Sequence, residues 1–331
     1  MERKRIFSGV QPTGALHLGS YLGAIRQWVL HQAENDNIFC VVDLHSLTIP
    51  EAVDAKVLHA KSREVAGLYL ACGIDPDRCA VFLQSHVKEH SELAWILTCV
   101  TPLGWAEKMT QFKTKSEGRD SVSTGLLTYP ILQAADILLY DATHIPVGED
   151  QKQHIELARN IAQRFNNMFG EVFVLPTPSI PEVGARVMAF DDPESKMSKS
   201  TAVTKPGHAV SLLDDEKRIR KTIMGAVTDS GSEFEWDKAS AGVRNLLAIH
   251  HALSGEPIAA ISARFQGRGY GYLKQEVFDL VWGAVKPIQD RYTALTADPT
   301  QLERVLDRST ARIRPIAEAT MKRVRAAVGV G

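Results

Sequence analysis

The chain of 331 residues carries 38 Lys and Arg against 39 Asp and Glu, a formal charge of −1, with 44% hydrophobic and 23% charged residues. At roughly 150 residues per domain this length holds two domains with ample cores, and the balanced charge excludes a uniformly basic nucleic-acid coat, so that such a partner must meet a local patch. No apolar run approaches the ~18 residues that cross a bilayer. The opening MERKRIFSGV lacks the apolar stretch of a secretory signal. Cys40, Cys72, Cys79 and Cys99 show no Cys-x-x-Cys spacing and read as small core hydrophobes. The expectation is a cytosolic protein that avoids the membrane and has no metal cage.

Residues 5–10 read as a strand, followed by a loop at 11–14 and a helix from about residue 17, in which Tyr21, Leu22, Ile25, Trp28 and Val29 share one face. Residues 38–42 (IFCVV) read as a buried strand, 52–72 as a helix and 80–83 as a third strand. The alternation predicts an α/β fold, a Rossmann-like parallel sheet with right-handed crossovers. Ligands of such a sheet bind beyond the carboxyl ends of its strands, which directs attention to the loops after Val10 and Val42. Residues 95–169 read as mostly helical, with a short extended piece at 144–147, and 172–175 as a further strand ahead of a Pro-rich stretch. Periodic segments near 213–222, 242–253, 258–265, 272–291 and 301–328 predict an all-helical C-terminal part. The expected division is 1–205, with a helical insertion at about 104–170, and 206–331.

Two polar segments stand out. The segment PTGALHLGS, residues 12–20, lies between a strand and a helix N-terminus. Backbone N–H groups and the helix dipole favour an anion there, Gly19 permits close approach, and His17 and Ser20 offer donors to phosphate. An ordinary strand–helix turn fits the same residues. Lys196-Met197-Ser198-Lys199-Ser200 packs two ammonium groups and two hydroxyls into one loop. It suits a polyphosphate and the charge developing on departing pyrophosphate; a solvated surface loop fits it equally.

Together the two segments resemble the paired HIGH and KMSKS signatures of class I aminoacyl-tRNA synthetases, in the same chain order. The remainder is similar to bacterial tryptophanyl-tRNA synthetases, in residues 7–14 (FSGVQPTG), 43–45 (DLH), 109–113 (MTQFK), 125–130 (GLLTYP), 134–140 (AADILLY), 146–156 (PVGEDQKQHIE), 184–186 (GAR) and 212–215 (LLDD). The resemblance implies a tryptophan–tRNA ligase using ATP with Mg2+ carried by the nucleotide, its partners L-tryptophan, tRNA(Trp) and a second copy of the chain. It assigns Gln11, Pro12, Thr13, Gly19, Ser20, Gly148, Glu149, Asp150 and Val187 to ATP, together with Lys196, Met197, Ser198, Lys199 and Ser200. Catalysis falls to Lys196, Lys199, His17, Lys115 and Arg186, as charge around the triphosphate.

For tryptophan the resemblance supplies Asp136, Tyr129, Phe7, His45, Val147, Gln151 and Gln133. Asp136 lies amid apolar residues, where an acid is costly to bury unless paired; the implied partner is the indole N–H, and His45 or Gln151 would hold the α-amino or carboxylate end. Three departures accompany the match: Ser20 replaces the second His of the signature, His17 replaces the subfamily's usual Thr, and Gln133 replaces a frequent Met. A tyrosyl enzyme on this fold and a catalytically silent paralogue are the rivals. The contexts of Gln11 and Gly148 count against the first, and intact Lys196, Ser198 and Lys199 against the second. In residues 301–331 seven basic residues face three acids, leaving +4, a candidate tRNA footprint that includes Arg323 and Arg325, or a solvated helix face.

Overall fold

The computed structural model describes residues 3–118, 121–148, 151–179 and 187–331, with the backbone alone at 199, 200 and 203. Its centre is a parallel sheet of five strands, β1 (Arg5–Val10), β2 (Asp36–Val41), β3 (Ala80–Leu83), β4 (His144–Pro146) and β5 (Thr177–Ser179), in the order β3-β2-β1-β4-β5. This is the Rossmann-like arrangement that the alternation predicts, with helices on both faces. Alternate residues of β2 serve opposite sides: Phe39 and Val41 enter one apolar cluster, Ile38 and Cys40 the other. Cys40, Cys72 and Cys79 are core residues, whereas Cys99 is exposed and corrects the expectation that all four are buried.

Local chemistry sets the element ends. The helix Ala55–Ala71 is capped by the Asp54 carboxylate, which accepts from the Val57 amide, and Thr124–Leu138 by the Ser123 hydroxyl, which accepts from Leu126. The helix Lys152–Phe169 stops at Gly170, whose φ of 94° is open chiefly to glycine. The helix predicted from residue 17 is three pieces, with a π turn over Tyr21–Ile25 between Leu18–Ser20 and Arg26–His31.

One strand falls elsewhere than predicted. Residues 172–175 do not join the sheet, because the Asn166 side chain takes their backbone groups: its Oδ1 accepts from the amides of Val172 and Phe173 at 3.0 and 2.9 Å, and its Nδ2 donates to the Phe173 carbonyl at 2.9 Å. The strand forms at Thr177–Ser179, an edge position that tolerates Pro178.

The C-terminal third is helical, in Glu216–Met224, Ala241–Ser254, Ile258–Phe265, Tyr270–Thr296 and Pro299–Val328. The apolar clusters run across the expected boundary near 206. Gly67 lets two helices approach closely, since a β-carbon there would meet the Tyr292 ring at 3.0 Å. The last helix straddles the β3 edge: Leu302 and Leu306 join the cluster on one face of the sheet, while Ile313, Ala317, Met321 and Val324 join the other.

Candidate functional site

The loop after β1 ends at His17, which adopts extended backbone and caps the helix itself: its Nδ1 accepts from the Ser20 amide at 3.2 Å. That bond leaves the imidazole proton on Nε2, 3.4 Å from the Ser20 hydroxyl, as a donor at the helix entrance. The loop is anchored from the distant chain, for Leu18 donates to the Val210 carbonyl at 2.8 Å and Leu212 to the Leu16 carbonyl at 2.9 Å. Met197 closes over it, and a β-carbon on Gly19 would lie 3.4 Å from that of Met197. The two polar segments singled out in the sequence therefore meet in space.

The segment bearing Lys196 is a short hairpin. Met188 pairs with Lys196, and Met197 donates to the Val187 carbonyl at 3.4 Å. Ser198 then caps the helix Lys199–Thr204 by accepting from the Thr201 amide. Asn245 of the Ala241–Ser254 helix grips the hairpin by both backbone groups of Met188, accepting from its amide at 2.9 Å and donating to its carbonyl at 3.0 Å. His208 binds Asp191 at 2.7 Å at the far end of the same segment. Lys199 and Ser200 are placed by backbone at the head of the helix; Glu149, Asp150 and Arg186 lie outside the described residues.

Below these loops, at the carboxyl ends of β1 and β2, opens a cavity of about 420 Å³. Gln11, Ser20 and Gly148 line it, as do Phe7, His45, Lys115, Tyr129, Gln133, Asp136, Val147 and Gln151. Pro12, Thr13, His17, Gly19, Val187, Lys196, Met197 and Ser198 are not among its walls. Gln133 thus faces inward, where the departure from a frequent Met bears on the cavity's shape.

Asp136, only 1% exposed, is not an isolated acid. Its Oδ1 accepts from Gln84 Nε2 at 2.6 Å and His90 Nδ1 at 2.7 Å, and its Oδ2 from His45 Nε2 at 2.8 Å. Burial pushes its pKa upward, but the bonds from His45 and His90 outweigh it and hold the carboxyl well below the usual range. This corrects the expectation of an acid paired only by substrate: a carboxylate buried among apolar side chains persists because three donors surround it. It also corrects the role expected of His45, which lines the cavity but commits Nε2 to Asp136. Carboxylate oxygens offer about four lone-pair sites, and three are used.

Tyr129 donates to Gln111 at 3.1 Å, with His154 Nε2 lying 2.9 Å from the same oxygen; burial pushes the phenol up to about 12. The Lys115 ammonium sits 5.0 Å from the centre of the Tyr129 ring, and burial lowers its pKa. This lysine therefore stands against the aromatic wall. Gln84, His90, Gln111, His154 and Asn245 escaped sequence reasoning. Gln84 alone carried a signal, since it follows β3 directly at a strand's carboxyl end.

The candidate tRNA footprint resolves differently. Arg325 forms two bonds to Glu92, at 2.6 and 2.5 Å, and Arg323 donates to Asp141 at 2.6 Å. Arg308 meets Asp77 at 2.8 Å. These cations neutralise acids of the sheet-bearing half, a correction to the reading of Arg323 and Arg325 as a phosphate-binding face.

Comparison with known proteins settles the family. The family described as tRNA synthetases class I (W and Y) matches residues 1–283. The chain belongs to it. This class I synthetase is an aminoacyl-tRNA ligase, and it is 48% identical to the tryptophan–tRNA ligase of Wolinella succinogenes over all of both chains. The tryptophan–tRNA ligase of Helicobacter pylori is 47% identical over the same span. The structure of tryptophanyl-tRNA synthetase from Campylobacter jejuni complexed with ADP and tryptophan matches with a TM-score of 0.86 and 35% identity, covering 98% of this chain and 100% of that one. The Mycoplasma pneumoniae tryptophanyl-tRNA synthetase matches at 0.90 and 32%, covering 100% and 99%. A tyrosyl-tRNA synthetase from Aeropyrum pernix shares the fold at 0.67 and 20%.

Proposed function

We propose that this synthetase activates L-tryptophan with ATP to tryptophanyl-adenylate and pyrophosphate, and then passes the tryptophanyl group to the 2′-hydroxyl of the terminal adenosine of tRNA(Trp). The observation that carries the reading is Asp136: an ionised acceptor with one lone pair left, in a cavity walled by Phe7, Tyr129 and Val147. The indole N–H can only donate, and that lone pair can only accept. Full-length identity near 48% to tryptophan–tRNA ligases supports it.

The chemistry needs no protein nucleophile. The substrate carboxylate attacks the α-phosphorus in line, and pyrophosphate leaves as its Mg2+ complex, the metal arriving with ATP. Catalysis rests on positioning and on charge met more strongly in the transition state than before it. In this proposal Gln11, Pro12, Thr13, Gly19, Ser20, Gly148, Glu149, Asp150 and Val187 hold the nucleotide, with Met197, Ser198 and Ser200. His17, Lys196 and Lys199 meet the phosphates, assisted by Arg186 and Lys115. Gln151 and Gln133 complete the tryptophan end. Loss of one transition-state donor costs about 2.7–4 kcal/mol where it behaves as an oxyanion-hole donor.

The helical part 206–331 is the proposed anticodon-binding unit, without Arg323 and Arg325, which carboxylates already hold. Trp95, Leu103 and Met168, at 69, 63 and 52% exposure on the middle helices, support a two-fold assembly of this chain; a one-chain mass by light scattering at micromolar concentration refutes that assembly. For the activity, ATP–pyrophosphate exchange is measured with each standard amino acid in turn. Exchange with tryptophan alone is expected, and exchange driven by tyrosine overturns the reading.

A further inference from the structure

Behind the cavity lies a layer of side chains that never reaches it. Gln84 and His90 are fully buried, and both load the same oxygen of Asp136. An ionised carboxylate only accepts, so the His90 proton that faces it sits on Nδ1. His90 Nε2 lies 2.7 Å from the Tyr140 hydroxyl, which then donates to it. One tautomer satisfies both contacts. Tyr140 in turn stacks on Phe7, with ring centres 5.8 Å apart and planes inclined by 12°, and Phe7 is a cavity wall. The Gln84 amide is keyed as well, because its Oε1 accepts from the Leu44 amide at 3.1 Å while Nε2 donates to Asp136. With Oδ1 accepting twice and Oδ2 once, the remaining lone pair is on Oδ2, the oxygen that also meets the cavity-lining His45.

We propose that His90 is a positioning residue for tryptophan selection: through Nδ1–H it fixes the rotation of the Asp136 carboxylate so that Oδ2 presents its open lone pair to the indole N–H. The inference rests on the reading of Asp136 as the indole acceptor. With His90 absent, Oδ1 keeps only Gln84, and the carboxylate turns about its Cβ–Cγ bond toward the donors that remain. The damage is confined to the amino acid, since neither the His17–Ser20 loop nor the 187–198 hairpin shares a hydrogen bond with His90.

The test compares His90→Phe, which keeps bulk but removes both polar contacts, with His90→Asn, which restores an amide donor near the Nδ1 position. In pyrophosphate exchange His90→Phe raises the tryptophan KM about tenfold or more, leaves the ATP KM and kcat within about twofold, and is largely rescued by His90→Asn. An unchanged tryptophan KM, or equal damage to tryptophan KM, ATP KM and kcat, overturns the proposal. Nitrogen-15 NMR of the parent chain at neutral pH decides the matter even where His90→Phe does not fold: a proton on His90 Nδ1 is expected, and a bare Nδ1 overturns it. Asp136→Asn separates this from the underlying reading. If Asp136→Asn leaves the tryptophan KM intact, the indole contact itself falls; if it does not and His90→Phe does, only the role of His90 falls.

Discussion

Gly19 and Met197, 178 positions apart in sequence, touch so closely that a β-carbon on the glycine would stand 3.4 Å from that of the methionine and 3.1 Å from His17 Nδ1. The contact joins the loop after β1 to the hairpin bearing Lys196. Gly19→Ala must therefore push on the His17 ring or on Met197 Cβ. The expected outcome is a rise of about tenfold in the ATP KM, with the tryptophan KM and the melting temperature little changed. Exchange kinetics indistinguishable from the parent would show that the two segments have room to part.

Asp136→Asn places an amide where two histidines and a glutamine all donate. At least one donor is left facing another, at a cost of about 1–3 kcal/mol, and tryptophan-dependent exchange falls by about a hundredfold or more. The pH dependence has a definite sign. A carboxyl held below its ordinary value near 3.9 adds stability above that value and loses it as pH falls through the folded value. The stability gap between parent and variant in urea titrations is therefore flat from about pH 5 to 8 and narrows only in stronger acid. A gap that closes between pH 7 and 5 refutes the ionised assignment.

Asn245→Ala releases both backbone groups of Met188 and with them the base of the hairpin. Lys196 lies in that hairpin, whereas the tryptophan end of the cavity does not contact Asn245. Activation kcat is expected to fall about tenfold, with the tryptophan KM unchanged. The check is single-turnover adenylate formation, and a defect in tryptophan KM alone contradicts it.

Reversing charge at Arg323 and Arg325 separates a nucleic-acid contact from an internal brace. Both guanidiniums are engaged by Asp141 and Glu92, so the double variant lowers the melting temperature and leaves the tRNA KM of aminoacylation unaltered at physiological salt. A tRNA-specific defect without thermal change would restore the footprint reading.

Much of the sheet was legible because its strands are short apolar runs: β3 is residues 80–83 as read, and β1 residues 5–10. β5 was not, since the side chain that withdraws 172–173 from pairing sits on the preceding helix, and apolar character cannot report it. The acid in the cavity was legible as an anomaly within an apolar helix. Its partners were not, because His45, Gln84 and His90 arrive from 91, 52 and 46 positions away, on turns with no periodic pattern. A count of charges along residues 301–331 likewise sees the arginines but not the acids that other elements bring to them.

The helix that straddles the β3 edge has a temporal consequence. Leu83 and Ile313 are 230 residues apart, so at 5–20 residues per second a ribosome finishes the edge strand roughly 10–50 s before it delivers the segment that covers it. During that interval the nascent sheet presents an unsealed border to its neighbours on the polysome, and chaperone occupancy of the growing chain should drop only once Ile313, Ala317 and Met321 have emerged from the exit tunnel.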